Sequence, residues 1–106
     1  MMYMGELDGH PRPQSERLLE TFQQAEVAAH IPPHICVAMW GKLVDIGAFA
    51  SVCCVTRLPA GKISACPERT ELYYSLVKEG ITVARATGLD MPEDFVGALR
   101  EMNADR

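Results

Sequence analysis

Apolar positions along this chain gather into four stretches separated by proline and glycine. Leu18, Phe22, Ala25 and Ala29 recur at spacings of four, three and four. That rhythm lines one helical face and predicts an amphipathic helix over residues 15–29, with Ser15 as N-cap and Glu16 in the first turn. Ile31-Pro32-Pro33 breaks it. From about Pro33 to Thr56 the pattern changes: Ile35, Val37, Trp40, Leu43, Ile46, Phe49, Val52 and Val55 leave no polar face. Such a helix is predicted to be central and covered by neighbours on most sides. Leu58-Pro59-Ala60-Gly61 reads as a turn. A third helix is predicted from Pro67, carried by Leu72, Leu76 and Val83 with Tyr73 and Val77 beside them, and closed by Gly88 at C′. A last one starts near Pro92, with Phe95, Leu99 and Met102 as its stripe. Residues 1–13 hold Gly5, Gly9, Pro11 and Pro13 and are predicted irregular, or a short strand. The fold class expected is all-α: a compact bundle of about four helices around one apolar helix.

Composition adds limits. Apolar residues make up 48% of the 106 and charged residues 23%, with a net charge of −4. This is an ordinary globular balance for one domain. Basic residues do not cluster, so nucleic acid is not an expected partner. The start, Met1-Met2-Tyr3-Met4, meets Glu6 and Asp8 at once and does not read as a signal peptide. The apolar stretch around Lys42 and Asp45 is barely long enough for a bilayer and lacks aromatic anchors. It is read as a buried core helix, with no membrane partner, in a cytoplasmic protein.

Lys42 is the first candidate for chemistry. It follows the single tryptophan, in Trp40-Gly41-Lys42-Leu43, inside the most apolar stretch. A lysine there must reach solvent, find a partner or serve a reaction. Asp45 lies three residues on, so one reading is a Lys42–Asp45 ion pair at the rim of the core; the other is catalysis. His30 and His34 are separated by two prolines and lack supporting ligands, so no metal site is expected. Cys36, Cys53, Cys54 and Cys66 show no CxxC spacing and read as small core hydrophobes. Glu6 and Asp8 read as a surface turn. Trp40 reads as a core anchor, and of Tyr73 and Tyr74 one is expected to pack and the other to face out.

Several landmarks stand in a telling order: Gly5-Glu6-Leu7-Asp8-Gly9, then Trp40-Gly41-Lys42-Leu43, Arg57-Leu58-Pro59-Ala60-Gly61, and Ala86-Thr87-Gly88 followed by Pro92. In this order they resemble the C-terminal half of the ketopantoate reductase (2-dehydropantoate 2-reductase) family. On that resemblance, residues 1–13 correspond to the end of a Rossmann domain and residues 14–106 to the helical domain. The family takes part in pantothenate biosynthesis; its members bind NADPH in the Rossmann half and reduce the ketone of a 2-keto acid. The resemblance makes Lys42 the catalytic residue, donating a hydrogen bond and a proton to the ketone oxygen as negative charge develops there. Family asparagines four and eight residues after the lysine are replaced here by Ile46 and Ala50, which removes polar grip on a hydroxy-keto acid. A family glutamate on a later helix has no counterpart before Arg106.

No Gly-x-Gly-x-x-Gly occurs in the 106 residues, so no cofactor site is expected in this chain, and the chain alone is expected to be inactive. Two readings remain. In one, the chain is the helical substrate and dimerisation domain of a ketopantoate-reductase-like oxidoreductase, with a Rossmann domain on a separate or longer chain. In the other, it is a stand-alone helical assembly module derived from that family. Both imply a homodimer with helix 33–56 at or near the contact, because that helix needs cover.

Overall fold

The structure is a computed structural model and describes residues 1–104. The last two residues of the expected helical domain lie outside it. The chain is mostly helical: strand β1 (Met2–Tyr3), helix α1 (Pro13–Gln24), strand β2 (Ala29–His30), then helices α2 (Ile35–Thr56), α3 (Ala60–Ser64), α4 (Pro67–Ala86) and α5 (Phe95–Ala104). The all-α expectation holds, with a two-residue strand pair added. The chain separates into two compact units, Met1–Met39 and Trp40–Arg106.

In the first unit β1 and β2 pair in parallel, Met2 with Ala29 and Tyr3 with His30, and α1 forms the crossover between them. The Met2 N–H donates to the Ala28 carbonyl at 2.7 Å and the Met4 N–H to that of His30 at 3.1 Å. Helix α1 starts two residues earlier than its sequence suggested, at Pro13, whose fixed φ suits a first helical turn. Ser15 is therefore not the cap; its hydroxyl donates to Glu6 Oε1 at 2.6 Å. The helix ends at Gln24 because Glu26 turns left-handed, at φ 57, and Ala29 joins a strand instead of the helical stripe. Gly9, at φ +74, closes the turn that carries Glu6 and Asp8. Asp8 is held below the usual carboxylate range first by the His10 backbone N–H and then by Arg12. The surface-turn reading of this pair stands.

The second unit is built on α4. Its buried residues are Tyr73, Tyr74, Val77, Ile81 and Ala84, a stripe one position along from the one its sequence suggested. Leu72 and Val83 are left exposed, at 46% and 55%. The reason is Gly80, which lies on the buried side and lets α2 come close. A Cβ added at Gly80 would stand 2.6 Å from Val44 Cγ1. Val44, Ala48 and Val52, at helical spacing on α2, are the residues buried there. Helices α3 and α5 also pack on α4, bringing Ile63 and Leu99 into the core.

Helix α3 was not foreseen; Leu58–Gly61 had read only as a turn, yet Pro59 serves as N-cap and the short helix buries Ile63 at 2% exposure. Helix α5 starts at Phe95, three residues later than Pro92 implied. Asp94 sets that start: its carboxylate accepts the Gly97 N–H at 3.1 Å, the pattern of an N-capping side chain. Helix α4 ends as foreseen, with Gly88 at φ +93 just beyond it.

Helix α2 is less covered than its all-round apolarity predicted. Only 28% of its most apolar stretch is buried, although it is long and apolar enough to cross a membrane. Leu43 and Val55 stand 60% and 81% exposed. The elements that cover it come from one side, where Gly80 permits contact, so the other faces stay open. Trp40 is half-buried and not a core anchor, and the cysteines are half-buried or, for Cys54, exposed. They are not core hydrophobes. No group of three or more metal-ligating side chains gathers among the described residues.

Candidate functional site

Lys42, Asp45, Ile46, Phe49 and Ala50 recur at the three- and four-residue spacings that put side chains on one side of a helix. In α2 they form one wall of an open cleft of about 700 Å³. Tyr73 and Tyr74 of α4 contribute to the lining, and Arg100 and Asn103 of α5 add further polar groups to it. Every one of these residues belongs to the second unit.

Lys42 is exposed. The ion pair with Asp45 suggested by their spacing does not form: no salt bridge among the described residues involves Lys42. Asp45 is turned to another partner. Its Oδ1 accepts a hydrogen bond from the Tyr73 hydroxyl at 2.7 Å. Tyr73 is 4% exposed, its ring edge-on to Phe49 with centroids 5.8 Å apart. Burial first, and then the bond to Asp45, push its phenol well above the ordinary tyrosine value. The Asn103 amide donates to both phenol oxygens at longer range, 3.5 Å to Tyr73 and 3.4 Å to Tyr74. The result is a chain of polar groups running Asp45, Tyr73, Asn103, Tyr74 in a cleft that Lys42 also lines.

Arg100 completes the electrostatics. Its guanidinium lies over the Tyr74 ring, 3.9 Å from the centroid, and one nitrogen donates to Glu71 at 2.8 Å. Among the described residues the cleft lining thus carries two cations, Lys42 and Arg100, and one carboxylate, Asp45, already engaged by a phenol, with Arg100 also paired to Glu71 at its edge. Chemically this arrangement suits an anionic ligand with a polarisable oxygen near Lys42 and an apolar portion along Ile46 and Ala50.

Sequence reading reached Lys42, Ile46 and Ala50 and gave them a common face, which the structure reproduces. It missed Tyr73, Tyr74, Arg100 and Asn103 as cleft residues. Both tyrosines are buried at 4%, so neither faces out as expected; the close approach of α2 and the cap of α5 cover the pair together. On α5 only the apolar stripe was legible, and Met102 of that stripe is 46% exposed. Arg100 and Asn103, one turn apart, were the available signal, but nothing local ties α5 to Lys42.

The model for the C-terminal domain of ketopantoate reductase (PanE/ApbA) matches residues 34–105, more than half of the chain. This chain belongs to that family. All the residues that line the cleft fall within the matched span. No curated protein and no solved structure matches the chain. The helical domain foreseen from the order of the sequence landmarks is therefore the C-terminal ketopantoate reductase domain.

Proposed function

We propose that this domain forms the substrate-facing half of a ketopantoate-reductase-like, NADPH-dependent 2-keto acid oxidoreductase, with Lys42 as its catalytic residue. One observation carries the proposal: Lys42 lines the cleft with no carboxylate partner among the described residues, the neighbouring Asp45 being held by Tyr73. An ammonium on the cleft wall can hydrogen-bond a ketone oxygen, offset the negative charge that grows there on reduction, and supply the proton that completes the alcohol.

The residues present do not fit the dinucleotide itself. Phosphate cradles use a glycine-rich turn from a strand into a helix N-terminus. Here α1 opens on Arg12-Pro13, and α4 on Cys66-Pro67, with no glycine in either first turn. In this reading the nucleotide half comes from a Rossmann segment on the same or a separate polypeptide, and these 106 residues are inactive alone. The wider role would be a cytoplasmic reduction of the pantothenate-pathway type.

The test is NADPH consumption with 2-keto acids, by this chain alone and after joining or mixing it with a Rossmann domain. Turnover is expected only in the combination. Lys42→Met is expected to lower kcat by roughly 10²–10³, the scale of losing one charge-stabilising donor, while leaving stability within about 1 kcal/mol because no ion pair among the described residues is broken. Unchanged kcat in K42M would contradict the assignment.

A second reading, a non-catalytic helical assembly module, draws support from α2. Leu43, Gly47 and Cys54 lie four and seven residues apart, on one side of the helix away from the cleft lining, and all are exposed. An apolar strip of this kind suits a symmetric helix-to-helix contact between two copies. Homodimerisation is compatible with both readings.

A further inference from the structure

Beyond Lys42 and Asp45 the α2 wall of the cleft is apolar, and further polar groups come from another helix. Ile46 and Ala50 line the Lys42 wall without a hydrogen-bonding atom in either side chain, whereas α5 brings Arg100 and Asn103 to the same cleft. We infer that Arg100 and Asn103 anchor the carboxylate of a small 2-keto acid whose apolar side chain lies along Ile46 and Ala50. This rests on the reading of Lys42 given above and goes beyond it, in that it assigns the anchoring residues and the preferred side chain.

Three features support it. The first is orientation. The guanidinium is stacked on Tyr74, whose ring is 4% exposed and therefore fixed. A planar fork held flat on an immobile ring is set up for bidentate carboxylate recognition before the ligand arrives. The second is spare capacity. The guanidinium has five N–H donors, and a single contact, from one nitrogen to Glu71, is made among the described residues. Glu71 is itself 61% exposed on its side chain, so that pair contributes little and yields easily to a ligand carboxylate. The third is the adjacent amide. Asn103 reaches both phenols only at 3.4 Å or more, long bonds that leave its amide free to turn toward a ligand.

Side-chain preference follows from the α2 wall. A ligand hydroxyl placed against Ile46 and Ala50 would exchange water for apolar surface and gain no partner. An apolar wall rejects an added hydroxyl only modestly, up to about 100-fold. The expected preference for an apolar over a hydroxylated acid is therefore roughly 10- to 100-fold.

The test is titration of the isotopically labelled 106-residue chain with ketoisovalerate and, separately, ketopantoate, followed by amide NMR. Ketoisovalerate is expected to shift signals of Arg100, Asn103 and the Ile46 turn, and to bind at least roughly tenfold more tightly than ketopantoate. Arg100→Gln should weaken it about tenfold or more; Arg100→Lys should recover only part, since charge without the fork is not equivalent. Glu71→Gln should tighten it. Ile46→Asn, at a half-exposed position that tolerates change, should shift preference toward ketopantoate, and keeps the inference open to refutation if the Arg100 variants misfold. Equal binding of the two acids, or binding indifferent to Arg100, would overturn the inference and leave the Lys42 assignment standing on its own turnover assay. Binding of neither acid would overturn the inference as well, and the turnover assay then decides separately whether the reductase reading survives.

Discussion

Tyr73 holds together the polar side of the cleft. Its hydroxyl donates to Asp45 at 2.7 Å and accepts from Asn103 at 3.5 Å, while its ring packs against Phe49 and Tyr74. Tyr73→Phe keeps the ring and removes only the donor to a charged group, so about 1.5–3 kcal/mol of stability should be lost at neutral pH. The pH dependence has a definite sign. Folding raises this phenol above its ordinary 10.0, so the folded state favours the neutral form. Its contribution is complete below pH 10.0 and is lost as pH rises toward the elevated folded value. Denaturant titrations at neutral and alkaline pH should show the Y73F protein less stable, and less sensitive to alkali above 10.0, than the parent. A Y73F protein as stable as the parent at neutral pH would remove Tyr73 from this role. At this scale the sequence was half legible. Lys42 stood out as a charge in an apolar run, and the spacing to Ile46 and Ala50 gave the face. The partner of Asp45 was invisible, because Lys42 is three residues away and Tyr73 is on another helix; only packing decides between a local and a distant partner.

At the scale of elements, glycine sets how α2 and α4 meet. Gly80 has Val44 at 2.6 Å from where its Cβ would be, whereas Gly47 has nothing within 4 Å. The two therefore answer differently to the same change. Either Gly→Ala gains about 1 kcal/mol of helix propensity, but at Gly80 overpacking costs about 1–3 kcal/mol more. G47A is expected to raise the melting temperature and G80A to lower it; the same sign for both would contradict the close approach. Helical periodicity revealed α2 and α4 but misplaced the α4 stripe by one residue, since Leu72, Leu76 and Val83 are as apolar as the residues that were buried. The small residues Gly80 and Ala84 chose the face, through contact distance and not through hydrophobicity. Helix α3 escaped for a related reason: five residues after a proline carry no periodic signal, and one buried Ile63 gives it its place.

For the molecule as a whole, α2 buries one side on α4 and leaves Leu43 and Val55 exposed on the others. If α2 mediates self-association, Leu43→Glu should keep the fold, since Leu43 is 60% exposed, and shift sedimentation from dimer to monomer at micromolar concentration. A parent chain that is already monomeric there would dismiss the dimer and leave the cleft untouched. The landmarks that carried the family resemblance were legible because each is a local turn or helix start. The cleft was not, because its walls come from four helices, α2, α3, α4 and α5.

In the proposed function Lys42 meets the ketone oxygen of a 2-keto acid. The chain has only three lysines, Lys42, Lys62 and Lys78, so their ε-ammonium signals can be followed individually by NMR while a 2-keto acid is added. The expected result is a saturable shift of the Lys42 signal alone, abolished in K42M, with Lys62 and Lys78 unmoved. Equal small drifts of all three lysines, or a Lys42 signal that stays still while the acid binds elsewhere, would contradict the assignment of Lys42 as the group that receives the substrate.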